Sequence, residues 1–196
     1  MMHSLGVDIL IGSGAIGTSL RQASALGDEP VELLNLRQPE TVRSLHAAYR
    51  AAGSQILVTN TFAANAIVFG DAGAADLCEA TNRAGVALAR EAGGAECMVW
   101  ASLGPLGLGF RLDDYPAAAL LAVYRDQCRA LGEADALLLE TFTDLREARA
   151  ALTAAAETGL PFVFQVGNTG AGAQRWSRVD QLLQEAHRLG AAAVGT

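Results

Sequence analysis

Three stretches of this chain hold residues whose types and spacing suit chemistry. One is Glu140-Thr141, directly after the apolar run Ala136-Leu137-Leu138-Leu139. A carboxylate set straight after a buried run needs a partner or a function. It either forms an ion pair with a neighbouring Arg or holds a cationic group of a ligand, and the tip of a parallel strand favours the ligand. The next is Asn60-Thr61, between Ile56-Leu57-Val58-Thr59 and Phe62. Apolar and β-branched residues ending in small polar groups are what a barrel-type α/β fold presents at its active face. The third is the loop Gly12-Ser13-Gly14-Ala15-Ile16-Gly17-Thr18. Its glycines allow a tight turn and bring backbone N–H groups close to a ligand, although a turn with no ligand explains them equally well. Gly12, Gly14 and Gly17 also satisfy the dinucleotide pattern G-x-G-x-x-G, a weak match by itself. The following strand arrives too late for a nucleotide fold, and no acidic residue ends a second strand about 20 residues on.

What is missing narrows the chemistry further. Every basic residue is Arg; with no Lys, a Schiff-base lysine and a phosphate-loop lysine are both excluded. Cys78, Cys97 and Cys128 match no zinc or redox spacing. Cys78 and Cys128 fall on predicted helices as small buried side chains, and Cys97 sits at the entrance of a strand, the wrong end for chemistry. His46 lies beside an apolar helix face and reads as a packing or capping residue. None of His3, His46 and His187 falls at a predicted strand tip. A metal-free barrel enzyme using Glu140 as general base therefore lacks its partner acid or nucleophile. The formal net charge is -7 and no basic stripe is present, which argues against nucleic-acid and anionic-membrane partners. Three cysteines in no disulfide framework point to a reducing, cytoplasmic compartment. Met1–Leu5 lacks the positive region of a signal peptide, and no window of about 18 apolar residues offers a membrane span.

The elements that would position these groups repeat one unit: apolar strand, polar tip, amphipathic helix. Strands are predicted at Val7–Ile11, Ile56–Thr59, Met98–Ser102, Ala136–Leu139, Phe162–Val166 and Ala191–Val194. The first helix starts at Pro39, suited to the first helical position, with Val42, Leu45, Ala48, Tyr49 and Ala52 inward and Gly53 as its stop. A second runs within Ala72–Ala92 with Leu77, Ala80, Ala84 and Leu88 inward, and a third covers Pro116–Leu131. The fourth is capped by Asp144 and Glu147 in a capping-box variant, with Leu145, Ala148, Leu152 and Ala155 inward. The fifth runs from about Ser177 to Leu189 and stops at Gly190. The fold class is α/β, a (βα)8 TIM-barrel type, incomplete at about five βα units plus a sixth strand. A full barrel takes about 250 residues, against 196 here.

On these motifs the chain resembles the homocysteine S-methyltransferase family, which includes the homocysteine-binding domain of cobalamin-dependent methionine synthase and betaine–homocysteine methyltransferase. The carrying segments are SGAIGTSLRQ (Ser13–Gln22), NLRQPETVRSLHAAYRAAGSQILVTNTF (Asn35–Phe62), SLGPLG (Ser102–Gly107) and LLLETFTDLREARAAL (Leu137–Leu152). The resemblance implies a (βα)8 barrel that binds homocysteine at the C-terminal face, a zinc ion holding the substrate thiol as thiolate, and a methyl donor that is methylcobalamin, a betaine or a sulfonium compound. It further implies that Glu140 matches the family glutamate contacting the substrate's amino group. The backbone at Gly14 and Ala15 and the Asn60-Thr61 tip line the same mouth.

Two departures qualify what is implied. Ser13 stands where the family's first loop carries Asp, which weakens ammonium binding or shifts it wholly to Glu140. The family's zinc ligands are cysteines after strands six and eight, and none of this chain's three cysteines takes those positions. The expectation is one barrel domain over residues 1–196 without the C-terminal part that carries the zinc ligands. It is a methyltransferase by family and inactive as this chain alone, and it self-associates through its open barrel edges. The alternative is a non-catalytic short paralogue that binds a small amino acid or a partner protein.

Overall fold

The computed structural model describes residues 9–24, 26–107, 109–167 and 173–196. Five parallel strands form one sheet in sequence order: β1 Ile56–Val58, β2 Met98–Leu103, β3 Ala136–Phe142, β4 Phe162–Val166 and β5 Ala193–Gly195. Each strand pairs with its sequence neighbour, as Leu57 with Val99, Ala101 with Leu137, Leu138 with Val163 and Phe164 with Val194. Ahead of β1, among the described residues, an isolated parallel bridge joins Gly12 to Ile56. The N–H of Ser13 donates to Ile56 O at 2.8 Å, and that of Gln55 to Ile11 O at 2.8 Å. Of the predicted first strand, Val7 lies outside the described residues. Ile9–Ile11 is no regular strand; Ile9 is 88% exposed, because it has a sheet on one side only. Among the described residues the sheet is open, a wall of a (βα)-barrel.

Side-chain alternation along the strands separates two faces. Leu57, Val99, Ala101, Leu103, Leu137, Leu139, Phe162, Phe164 and Val166 point outward into the main core, packed against α5 (Cys78–Gly93), α6 (Ala117–Ala130), α7 (Leu145–Glu157) and α8 (Ala173–Arg188). Ile56, Val58, Trp100, Ser102, Leu138, Glu140 and Gln165 point the other way and line a concavity. Three short helices enter segments in which none was predicted: α1 (Gly17–Ala23), α2 (Leu34–Arg37) and α4 (Ala66–Asp71). Asn65 caps α4, accepting from the N–H groups of Ile67 and Val68 at 3.1 and 3.0 Å. A second cluster, Ile16, Leu20, Val31, Leu34, Val42 and Leu88, packs α1, α2 and α3 (Pro39–Ala51) on α5.

Several predicted faces are corrected. On α3 the buried residues are Val42 and His46, while Ala48 is exposed; His46 sits in the helix interface and not beside it. On α5, Ala80 is exposed and the buried face runs through Thr81, Asn82, Gly85, Val86 and Ala89. Small and polar residues win there because the helix lies directly on the Asn60–Asn65 turn, whose backbone groups need donors. Asp144 caps α7 as expected, accepting from the N–H groups of Arg146 and Glu147. The Glu147 carboxylate does not complete the reciprocal box; it is turned inward instead.

Candidate functional site

The concavity at the C-terminal ends of the strands is a cavity of about 820 Å³. Ser13, Gly14, Ala15, Asn60 and Glu140 all line it. Residues from three distant segments thus meet in one place. Thr61 does not line it: the side chain is fully buried behind the turn, and its hydroxyl donates to Ser102 O at 2.8 Å.

Glu140 is presented by an irregular end of β3. The register with β4 shifts between Leu139 and Phe142, and Thr141 adopts a φ of 70°. A non-glycine residue in the left-handed region is uncommon and marks a local constraint. The half-buried carboxylate accepts from the Ser102 hydroxyl, Oγ to Oε1, at 2.5 Å. Ser102 is itself set by the neighbouring strand end. Its N–H donates to Thr59 Oγ1 at 3.1 Å, and Thr59 Oγ1 lies 2.6 Å from Thr61 Oγ1. Since the Thr61 proton goes to Ser102 O, Thr59 donates in that pair. The result is a hydroxyl ladder across β1, β2 and β3 that ends at Glu140. No Arg or His among the described residues lines the cavity or pairs with Glu140, so the ion-pair alternative finds no partner there.

The Asn60–Asn65 turn is held from outside by buried amides that sequence reasoning missed. Asn35 donates through Nδ2 to Asn60 O at 2.7 Å and accepts from Asn60 Nδ2 at 3.0 Å. Gln127 donates to Thr61 O at 2.9 Å, and Asn82 to Ala64 O at 2.6 Å. Glu32 completes the set, with Oε1 accepting from the N–H of Ala63 at 3.0 Å. Glu32 is 4% exposed and lines the cavity, and burial pushes its carboxyl above the usual carboxylate range. Its one signal in the sequence is a carboxylate inside the apolar run Val31–Leu34, the same kind of signal that marked Glu140.

The other loops are held in similar fashion. Tyr49 of α3 donates its hydroxyl to Ala15 O at 2.9 Å, and its ring approaches Gly14 so closely that a Cβ there would meet the Tyr49 hydroxyl oxygen at 3.0 Å. The Ser13 hydroxyl oxygen accepts from the N–H of Val58 at 2.9 Å, which ties the first loop to the strand edge. Phe62 lies flat on Gly104; a Cβ at 104 would sit 2.3 Å from the ring, so only glycine lets Phe62 form its wall of the cavity. The loop after β2 is anchored by Glu147, whose Oε1 accepts from the N–H of Leu106 at 2.7 Å and lies 3.2 Å from the Tyr124 hydroxyl. Burial raises the Glu147 carboxyl above its ordinary value.

The cysteines sit elsewhere. Cys97 and Cys128 are buried; Cys78 is half-buried. The Cys78 thiol donates to Ala64 O at 3.1 Å and is pushed up to about 11 by burial and then by Asp126 and Glu79. Burial and Glu157 push Cys128 up to about 12. None lines the cavity, and among the described residues no group of three or more His, Cys, Asp or Glu side chains is arranged to hold a metal. The residues described here do not fit the zinc ion that the resemblance implies.

A family model described as homocysteine S-methyltransferase matches residues 10–195. This chain belongs to the homocysteine S-methyltransferase family. Among its relatives, methionine synthase of Mycobacterium tuberculosis is 30% identical over 167 residues, covering 78% of this chain and 14% of that protein. Methionine synthase of Mycobacterium leprae is 29% identical over 168 residues, with the same coverage of 78% and 14%. The chain therefore spans a small part of the length of these curated relatives. In fold, this methyltransferase-family chain is similar to the homocysteine methyltransferase MmuM from Escherichia coli in its metallated form. The TM-score is 0.72 at 20% identity, covering 96% of this chain and 91% of that one. The oxidised form of the same protein gives a TM-score of 0.64 at 21% identity. No helix among the described residues is long and apolar enough to cross a membrane.

Proposed function

We propose that residues 1–196 act as one homocysteine-binding domain, with the amino acid held in the 820 Å³ cavity and its ammonium at Glu140. The observation that carries this reading is the Glu140 carboxylate, fixed on one oxygen by Ser102 at 2.5 Å and facing a cavity whose described lining holds no cation. A carboxylate so placed is a ready partner for a substrate ammonium. The loop at Ser13, Gly14 and Ala15 and the Asn60 tip form the opposite rim.

Methyl transfer to sulfur needs the thiolate. A described lining with two carboxylates and no cation raises a thiol's pKa and so disfavours that form. The thiols of Cys78, Cys97 and Cys128 are spent on backbone carbonyls or buried away from the cavity. The chain by itself is thus read as binding homocysteine without methylating it, in the cytoplasm, where its three thiols stay free. The same absence of a thiolate-stabilising group supports a second reading, a non-catalytic paralogue that binds a small amino acid or a partner protein.

Calorimetric titration of homocysteine, methionine and glycine into wild type and Glu140→Gln separates these. Homocysteine should bind wild type best, and Glu140→Gln should weaken it by about tenfold or more. Equal affinity of wild type and Glu140→Gln would remove Glu140 from the site. Equal affinity for all three amino acids would favour the second reading.

A further inference from the structure

Glu140 and Phe142 both belong to β3, with one residue between them, yet they face opposite sides of the sheet. In a regular strand such residues share a face. Glu140 lines the cavity. Phe142 is fully buried in the outer core, its ring centroid 6.0 Å from that of Tyr124 and 5.7 Å from that of Phe164. One extra residue resolves the conflict. Between the pairs Leu139–Phe164 and Phe142–Val166, β3 advances three residues while β4 advances two. Thr141, exposed and at a φ of 70°, is where the strand turns over. This is a β-bulge, and its left-handed position is one that glycine normally fills. Among the described residues, Glu140 and Thr141 pair with neither neighbour. The register with β2 ends at Leu103–Leu139, and that with β4 passes from Leu139 to Phe142.

Gly167, just after β4, accommodates the bulge. Its N–H donates to Phe142 O at 3.0 Å, and a Cβ there would meet Thr141 O at 2.7 Å and Thr141 C at 2.9 Å. The Thr141 peptide thus rests on a position that only glycine leaves open. Outside both ladders, Glu140 reaches back to Ser102, which pairs with Leu138 and not with Glu140. Backbone held in a sparsely populated region persists where the surroundings over-determine it, and such residues gather at ligand sites.

We infer that Thr141 and Gly167 are positioning residues for the amino-acid site. Together they lift Glu140 out of the sheet's hydrogen-bond ladders and fix its carboxylate where a ligand's ammonium reaches it. The inference rests on the reading of Glu140 as the ammonium partner. Removing Thr141 would leave the pairs Leu139–Phe164 and Phe142–Val166 in unbroken register. Both side chains would keep their faces, but Glu140 would fall opposite Gln165, which lines the same cavity. The Gln165 amide, a neutral donor, would then compete for the carboxylate. The deletion therefore suits the sheet and harms the site, which separates a positioning role from a purely structural one.

The test is homocysteine titration and urea unfolding of the full chain, comparing wild type with the Thr141 deletion, Thr141→Asn, Gly167→Ala and Glu140→Gln. The deletion should weaken homocysteine by roughly tenfold or more, to the level of Glu140→Gln, with a urea midpoint no lower than that of wild type. Thr141→Asn should hold the affinity within about twofold, since asparagine tolerates the left-handed region. Gly167→Ala should weaken homocysteine about as much as the deletion, because the added methyl displaces the Thr141 peptide. A deletion variant that loses stability and keeps its affinity overturns the proposal, as that is the pattern of a bulge serving the fold alone. So does a Thr141→Asn variant as weak as the deletion. Undiminished affinity in Glu140→Gln, or a wild type that binds no homocysteine, removes the amino-acid reading and this proposal with it. A weakened Glu140→Gln beside an unaffected deletion removes the positioning role alone. Should the deletion not fold, Gly167→Ala and Thr141→Asn decide: the first weakened and the second unchanged supports the proposal, and Gly167→Ala at full affinity refutes it.

Discussion

His46 should make this fold acid-sensitive. The imidazole, carried on α3, which packs against α5, is fully buried, and neither ring nitrogen has a hydrogen-bond partner among the described residues. Burial lowers its pKa from 6.5 to about 4. An unfolded chain takes up this proton as pH falls through the ordinary histidine range, whereas the native chain resists until about pH 4. Stability contributed by the neutral ring is therefore present above pH 6.5 and lost as pH falls toward 4. A shift of that size corresponds to about 3 kcal/mol. His46→Leu keeps the volume nearly constant and removes the titration, while the Arg43–Glu91 pair at 3.0 Å across the same helices stays in place. Urea unfolding of both proteins at pH 7, 5.5 and 4.5 should show the variant gaining on wild type by about 2 kcal/mol over that interval, the rest of the shift appearing only below pH 4. The lowered carboxylates, Glu185 with Arg188 and Arg149 among them, act equally in both proteins and drop out of the difference. A gap that does not change with pH would refute the reasoning and place a donor or a water on the ring.

Other expectations follow from single contacts. Gly85→Ala should destabilise by about 1–3 kcal/mol despite the better helix former, because its Cβ would meet Thr61 Cγ2 at 2.6 Å and Asn35 Nδ2 at 2.8 Å; a raised melting temperature would contradict this. Ser13→Asp keeps an acceptor for the N–H of Val58 and adds a carboxylate to the cavity rim. Homocysteine affinity should rise by about tenfold, and an unchanged value in calorimetry would remove the first loop from ammonium binding. Ile9, Leu10, Ile11 and Val194 leave apolar surface at both margins of the sheet, at 88%, 45%, 55% and 45% exposure. Sedimentation should therefore show association that grows with concentration. A monomer throughout would count against it.

Much of the scaffold was legible because it is written in local periods. Runs such as Phe162–Val166 and the inward stripe Ala148, Leu152 and Ala155 mark a parallel strand and an amphipathic helix without reference to anything else. Pro39, Asp144 and Gly190 mark helix boundaries by backbone chemistry alone. Glu140 stood out because a charge after four apolar residues contradicts its neighbours. The parallel barrel class followed from these local signals and their order, whereas the family came from the resemblance of whole segments such as Asn35–Phe62 and Leu137–Leu152 to known members.

The tertiary structure decided which polar residues are buried. Asn82 and Gln127 look like ordinary helix-surface residues in sequence. They are buried because α5 and α6 pack onto a turn whose carbonyls had lost water and needed donors. Thr61 and Asn60 are adjacent in the chain, yet one closes the hydroxyl ladder while the other reaches the cavity, a division set by how β1 meets β2. The inward turn of Glu147, the burial of His46 and the meeting of Glu32 with Glu140 depend on contacts between segments far apart in sequence. Periodicity reports which face of an element is apolar; the desolvated groups that arrive from the next element determine which polar side chains must join it.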